Sequence, residues 1–165
     1  MVQDKVVDIK QVRALQLVER GCEYAQENDI PAAIECFEKS ISHFPTAEAY
    51  TYWGWMLSQR SEFEQAIELC KKAVVIDPDF GNPYNDIGSY LMRLGKNDEA
   101  IPWLEKAKTS KRYEPRHYPY INLGRIYFEK GWLTRAIEEF EVVLSLDSEN
   151  EEVQEILEDL RLSVH

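Results

Sequence analysis

The chain has 165 residues, 44% of them hydrophobic and 12% aromatic, enough apolar material for one compact core and too much for a disordered segment. Its formal net charge of −11 repels phosphate backbones and anionic lipid surfaces, which argues against nucleic-acid and membrane binding. Cys22, Cys36 and Cys70 cannot all pair, none stands in a C-x-x-C pattern, MVQDKVVDIK lacks the apolar stretch of a signal peptide, and no run of 18 apolar residues occurs, so the expectation is a cytoplasmic protein with reduced thiols.

Residues 1–13 form an N-terminal extension in which Val6, Ile9 and Val12 step towards Leu15, read as part of a first helix or packed on it. From there one unit recurs, over about 14–46, 47–80, 81–116 and 117–150. The copies align on Gly21, Gly54, Gly88 and Gly124, spaced by 33, 34 and 36 residues. Twelve residues after each glycine stands Ala33, Ala66, Ala100 or Ala136, followed directly by Ile34, Ile67, Ile101 or Ile137.

Around each glycine the apolar residues keep helical spacing. Leu17, Tyr50, Tyr84 or Tyr120 lies four before it, and Tyr24, Leu57, Leu91 or Tyr127 three after. Around each alanine a second helix is predicted, with Phe37, Cys70, Leu104 or Phe140 four residues further on. Between the two come Asn28, Ser61, Gly95 and Gly131, three of them residue types that tolerate the left-handed conformation ending a helix. Pro45 and Pro78 follow second helices, while Pro31, Pro83 and Pro119 fall near helix starts, where a missing N–H is harmless. Pro102 lies inside its helix, and a slight bend rather than a break is expected there.

TSKRYEPR, residues 109–116, has no periodicity and reads as a longer loop between the third and fourth copies. Lys106, Lys108, Lys111, Arg112, Arg116 and Arg125 gather around it, read as a solvated counterweight to the acidic C-terminus, with a docking site for an acidic partner segment as the alternative. Residues 151–165, with Val153, Ile156, Leu157 and Leu160 at helical spacing, are predicted to cap the stack. A glycine inside a helix is about 1 kcal/mol less favourable than alanine. Four at equivalent positions therefore mark close helix contacts, and the alanine twelve residues on is the expected opposite surface.

This pattern closely resembles the tetratricopeptide repeat, most clearly in YNDIGSYL at 84–91, YINLGRIY at 120–127 and EQAIELCKKAVVIDP at 64–78. The resemblance implies an all-α, right-handed superhelical solenoid of four helix-turn-helix repeats plus a C-terminal capping helix. It also implies an inner face, lined by the first helix of each pair, that holds an extended peptide or a partner's helix. On that geometry the first copy turns Leu15, Val18, Cys22 and Ala25 inward, an apolar set for the N-terminal Val2, Val6 and Val7 or another chain to cover. The later copies supply the candidate partner-binding residues Trp55, Asn82, Asn85, Ser89, Tyr118, Asn122 and Arg125. Side-chain amides can hold a peptide backbone, and Trp55 and Tyr118 either supply contact area or pack between neighbouring helices. One subtype of the family grips a C-terminal carboxylate with lysines, asparagines and an arginine. The matching positions here are Val18, Cys22, Tyr52, Asn82 and Asp86, and Asp86 would repel a carboxylate, so that mode is not expected.

Nothing in the sequence points to chemistry. His43, His117 and His165 are scattered, no metal-binding spacing, nucleophile elbow or phosphate loop occurs, and Cys22 has no histidine placed to activate it. The expectation is a non-enzymatic interaction scaffold or adaptor without metal or cofactor that binds a protein or peptide partner. The alternatives are a self-assembling homo-oligomer and an accessory subunit of an enzyme complex.

Overall fold

Each glycine-centred segment folds into the first helix of a hairpin and each alanine-centred segment into the second. The computed structural model describes residues 8–163, which fall into two compact units, one up to Pro78 and one from Asp79 onwards. The first contains α1 (Ile9–Gln26), α2 (Ile30–His43), α3 (Ala47–Gln59) and α4 (Phe63–Ile76). The second contains α5 (Asn82–Arg93), α6 (Asn97–Lys108), α7 (Tyr118–Glu129), α8 (Leu133–Leu146) and α9 (Glu151–Ser163). Among the described residues the fold is all-α. Its one extended pairing is an isolated parallel bridge between Phe80 and Arg112.

In the first unit α1 packs on α2, α3 on α4, and α2 on α3; in the second α5 packs on α6, α7 on α8, α6 on α7, and α9 closes on α8. First helices also touch within each unit, α1 with α3 and α5 with α7. Local rules set the ends. Asp8, Asp29 and Thr46 accept backbone N–H bonds at the starts of α1, α2 and α3, and Asn150 does so for α9. All four hairpin turns pass through a left-handed residue, with φ of 60° at Asn28, 61° at Ser61, 72° at Gly95 and 74° at Gly131. Ser61 thus adopts the same conformation as its three better-suited counterparts. The helix α6 runs on through Pro102.

The repeated glycines are filled from a different position than their spacing suggests. A methyl on Gly21 would lie 2.5 Å from the Phe37 ring, one on Gly88 2.5 Å from Leu104, and one on Gly124 2.6 Å from the Phe140 ring. The residue seated on the glycine is therefore the one sixteen positions on, not the alanine at twelve. At Gly54, where that residue is the small Cys70, the nearest atoms are Cys70 Sγ and the Ala66 carbonyl oxygen, both at 3.1 Å. The four alanines are fully buried, as are Phe37, Cys70 and Leu104, with Phe140 nearly so. Large side chains buried to this degree contribute roughly 1.5–3 kcal/mol each.

Part of the first copy's inner surface is also closed within its own unit. Val18 belongs to a buried cluster with Phe37, Ala49 and Met56, and Cys22 and Ala25 pack against it. Ile9, Val12 and Leu15 stay exposed at the start of α1. The segment read as the cover of Leu15, Val18, Cys22 and Ala25, with Val2, Val6 and Val7, lies outside the described residues.

Candidate functional site

The loop between α6 and α7 does more than join two repeats. Arg112 N–H donates to the Asp79 carbonyl at 3.0 Å and Gly81 N–H donates to the Arg112 carbonyl at 2.9 Å, so the loop is laced to the entry of α5. Arg116 donates to the Ser110 and Lys111 carbonyls at 3.3 and 3.1 Å, bracing it from inside. Gly81 permits the approach, since a methyl there would lie 2.4 Å from Tyr113 Cβ. The loop thereby carries Tyr113 into the interior, where it is only 4% exposed and its hydroxyl has no hydrogen-bond partner among the described residues.

Beside that loop, α5 places Asn82, Asn85, Asp86 and Ser89 along one helical stripe, and α7 places Tyr118, Asn122 and Arg125 along another. The two stripes meet where Asn122 Nδ2 donates to Asn85 Oδ1 at 3.0 Å. Asn82 Nδ2 reaches the Glu114 carbonyl of the loop at 3.4 Å. Tyr118 is 47% exposed, its ring 4.5 Å from that of His117. Asp86 is half-buried, and burial lifts its carboxyl to about 7, a shift that hydrogen bonding with Asn85 only partly opposes. Burial first, and the nearby Asp86 charge second, hold the Tyr113 phenol well above its ordinary range.

Of the residues chosen from sequence, Asn85 and Asn122 are joined directly, with Asn82 one turn before Asn85 and Tyr118 one turn before Asn122. Ser89 lies half-buried one turn beyond Asn85. Arg125 is directed elsewhere, into an ion pair with Glu152 of α9, and lines a pocket of about 360 Å³ with Phe128, Ile156 and Leu160. Trp55 belongs to the first unit, on α3, and is 43% exposed. Two residues were absent from that set. Asp86 was legible as a carboxylate flanking the face, whereas Tyr113 sits in an aperiodic loop, and its burial follows from pairing with residues some thirty positions earlier.

The basic residues around the loop are engaged locally. Lys111 pairs with Asp79 at 3.1 Å, Lys108 with Glu139 at 3.0 Å, and Arg112 lies 4.2 Å from the centre of the Phe80 ring. Lys106 lies 6.0 Å from the Tyr84 ring centre. The three cysteines are free thiols, and burial pushes those of Cys22 and Cys36 above their ordinary value, which disfavours the reactive thiolate. Among the described residues no group of three His, Cys, Asp or Glu is placed to hold a metal ion, and no helix is long and apolar enough to cross a membrane.

Comparison with known proteins agrees with this architecture. Family models described as tetratricopeptide repeat match residues 18–79, 82–113 and 118–150. A curated relative, small glutamine-rich tetratricopeptide repeat-containing protein 2 of Mycosarcoma maydis, is 33% identical over 95 residues, covering 57% of this chain and 27% of its own length. The chain spans about a quarter or less of the length of the curated relatives it matches. Among solved structures, PilF of Pseudomonas aeruginosa superposes with a TM-score of 0.88 at 22% identity, over 94% of this chain and 71% of that one. YrrB, described as a TPR protein with an unusual peptide-binding site, superposes with a TM-score of 0.68 at 19% identity, over 85% of this chain and 72% of its own.

Proposed function

Because the chain belongs to the tetratricopeptide repeat family, we propose that it is a protein-interaction scaffold whose second unit holds an extended segment of a partner protein on the face formed by α5 and α7. The observation that carries this reading is the Asn122–Asn85 amide pair, bridging the two helices at 3.0 Å. That bond uses one amide hydrogen of Asn122, whose carbonyl oxygen and second amide hydrogen can pair with a peptide unit, itself offering one donor and one acceptor. Tyr118, held against His117 and nearly half exposed, adds contact area at small entropic cost. The peptide-binding described for YrrB, a protein alike in fold, supports a peptide as the class of ligand. The setting proposed for this interaction is the cytoplasm, with no cofactor.

The test is a selection of random displayed peptides on the intact chain, followed by titration of a selected peptide. The double variant Asn85→Ala/Asn122→Ala should weaken binding at least about tenfold, while circular dichroism and melting temperature stay close to those of the parent. A selected peptide that binds the double variant as tightly as the parent would remove this face from the interaction.

A further inference from the structure

We propose that Asp86, set beside the Asn85–Asn122 amide pair, receives a lysine or arginine side chain of the segment bound on the α5–α7 face. This rests on the partner-binding reading of that face and adds the chemistry of one position in the partner.

Three observations converge on it. First, Asp86 is a half-buried carboxylate with no cationic partner among the described residues. Basic side chains of the loop and of α7 are engaged elsewhere, Lys111 with Asp79, Arg112 over Phe80 and Arg125 with Glu152. Removal from water without a compensating charge is what lifts its carboxyl to about 7, and an incoming cation would supply that charge. Second, Tyr113 is almost wholly buried, yet its hydroxyl makes no hydrogen bond. It lies within electrostatic reach of Asp86 and Tyr118 yet gives Asp86 no hydrogen bond, so the carboxylate is left uncompensated by its buried neighbour. Third, this arrangement is built rather than incidental. The Asp79–Arg112–Gly81 backbone bonds hold Tyr113 in position, and the absent side chain at Gly81 leaves room for it.

An ammonium or guanidinium group carries donors only. It would give hydrogen bonds to the Asp86 carboxylate, while its aliphatic stem lies along the exposed Tyr118 ring. A partner carboxylate at this position would meet Asp86 and be repelled. The net charge of −11 further favours the approach of a basic segment.

The same peptide selection decides the matter. Selected peptides should share a lysine or arginine at one position, and replacing it with norleucine in a synthetic copy should weaken binding about ten- to a hundredfold. On Asp86→Asn the lysine and norleucine copies should bind nearly alike. Asn85→Ala/Asn122→Ala should instead weaken both copies together. Asp86→Ser serves as a second removal of the charge, so that a folding defect in one variant leaves the other readable. Peptides without a shared basic position, or a lysine preference undiminished in both Asp86 variants, would overturn the proposal while leaving the partner-binding face intact. A library that yields no binding peptide would overturn both.

Discussion

At the scale of single residues, Ser61 and Asp86 are held in states that are unfavourable for their chemistry. Ser61 takes φ 61° at the turn where the other copies use Asn28, Gly95 and Gly131. A side chain in the left-handed region crowds its own backbone, at a cost of about 1–2 kcal/mol that glycine avoids. Ser61→Gly should therefore stabilise the protein by about 0.5–1 kcal/mol, the gain being reduced by the larger chain entropy of glycine in the unfolded state. A urea midpoint that stays put or falls would contradict this. Asp86 makes a prediction about pH. Its folded carboxyl titrates at about 7 against an ordinary 3.8. Between those values the folded state binds more protons than the unfolded one, so the Asp86 contribution to stability declines as pH rises through that window and is constant on either side. Asp86→Asn lacks the titration. Its stability relative to the parent should rise by on the order of 1–2 kcal/mol between about pH 4 and pH 8, allowing for solvent contact at a half-buried group. Urea midpoints of both proteins across that range measure it, and a constant difference would show that Asp86 ionises without penalty. A carboxylate kept at a loss in stability is consistent with one retained for binding.

Helix elements show why one repeat pattern yields joints of unequal tightness. Each first helix lays its glycine against a residue sixteen positions on, and that residue varies from phenylalanine to cysteine. At Gly124 an added methyl would sit 2.6 Å from the Phe140 ring, itself buried and hemmed in by its own neighbours. At Gly54 the nearest atoms stand at 3.1 Å, a separation that a shift of a few tenths of an ångström relieves. Alanine gains about 1 kcal/mol of helix propensity at either place, while overpacking costs about 1–3 kcal/mol. With the 2.6 Å clash placing Gly124 in the upper part of that range, Gly124→Ala should lose about 1–2 kcal/mol, whereas Gly54→Ala should stay within about 1 kcal/mol of the parent. Thermal unfolding of the two variants side by side checks the contrast. Equal losses would mean that the joint at Cys70 is as closely packed as the joint at Phe140.

For the whole molecule, composition, periodicity and turn chemistry sufficed for the all-α repeat fold, because each rests on interactions within a few residues. Helical spacing showed the apolar stripes, Asn28, Gly95 and Gly131 marked their turns, and Pro31, Pro83 and Pro119 sat near helix starts. The resemblance to the tetratricopeptide repeat, rather than spacing alone, put Asn82 and Asn85 on one stripe of α5, and Tyr118 and Asn122 on one stripe of α7. What those stripes touch was not legible. Periodicity says which face of a helix turns inward but not which distant residue meets it. Only the packed structure seats Phe37, Leu104 and Phe140, rather than the alanines, in the glycine notches, and directs Arg125 to Glu152 on α9. Tyr113 marks the limit most clearly. Its loop has no period to read, and its burial beside Asp86 depends on backbone bonds to Asp79 and Gly81 that form only when the α5 entry and the loop after α6 are brought together. Local chemistry in the sequence thus determined the repeat and its helices, while long-range packing decided which polar groups stand together on the α5–α7 face.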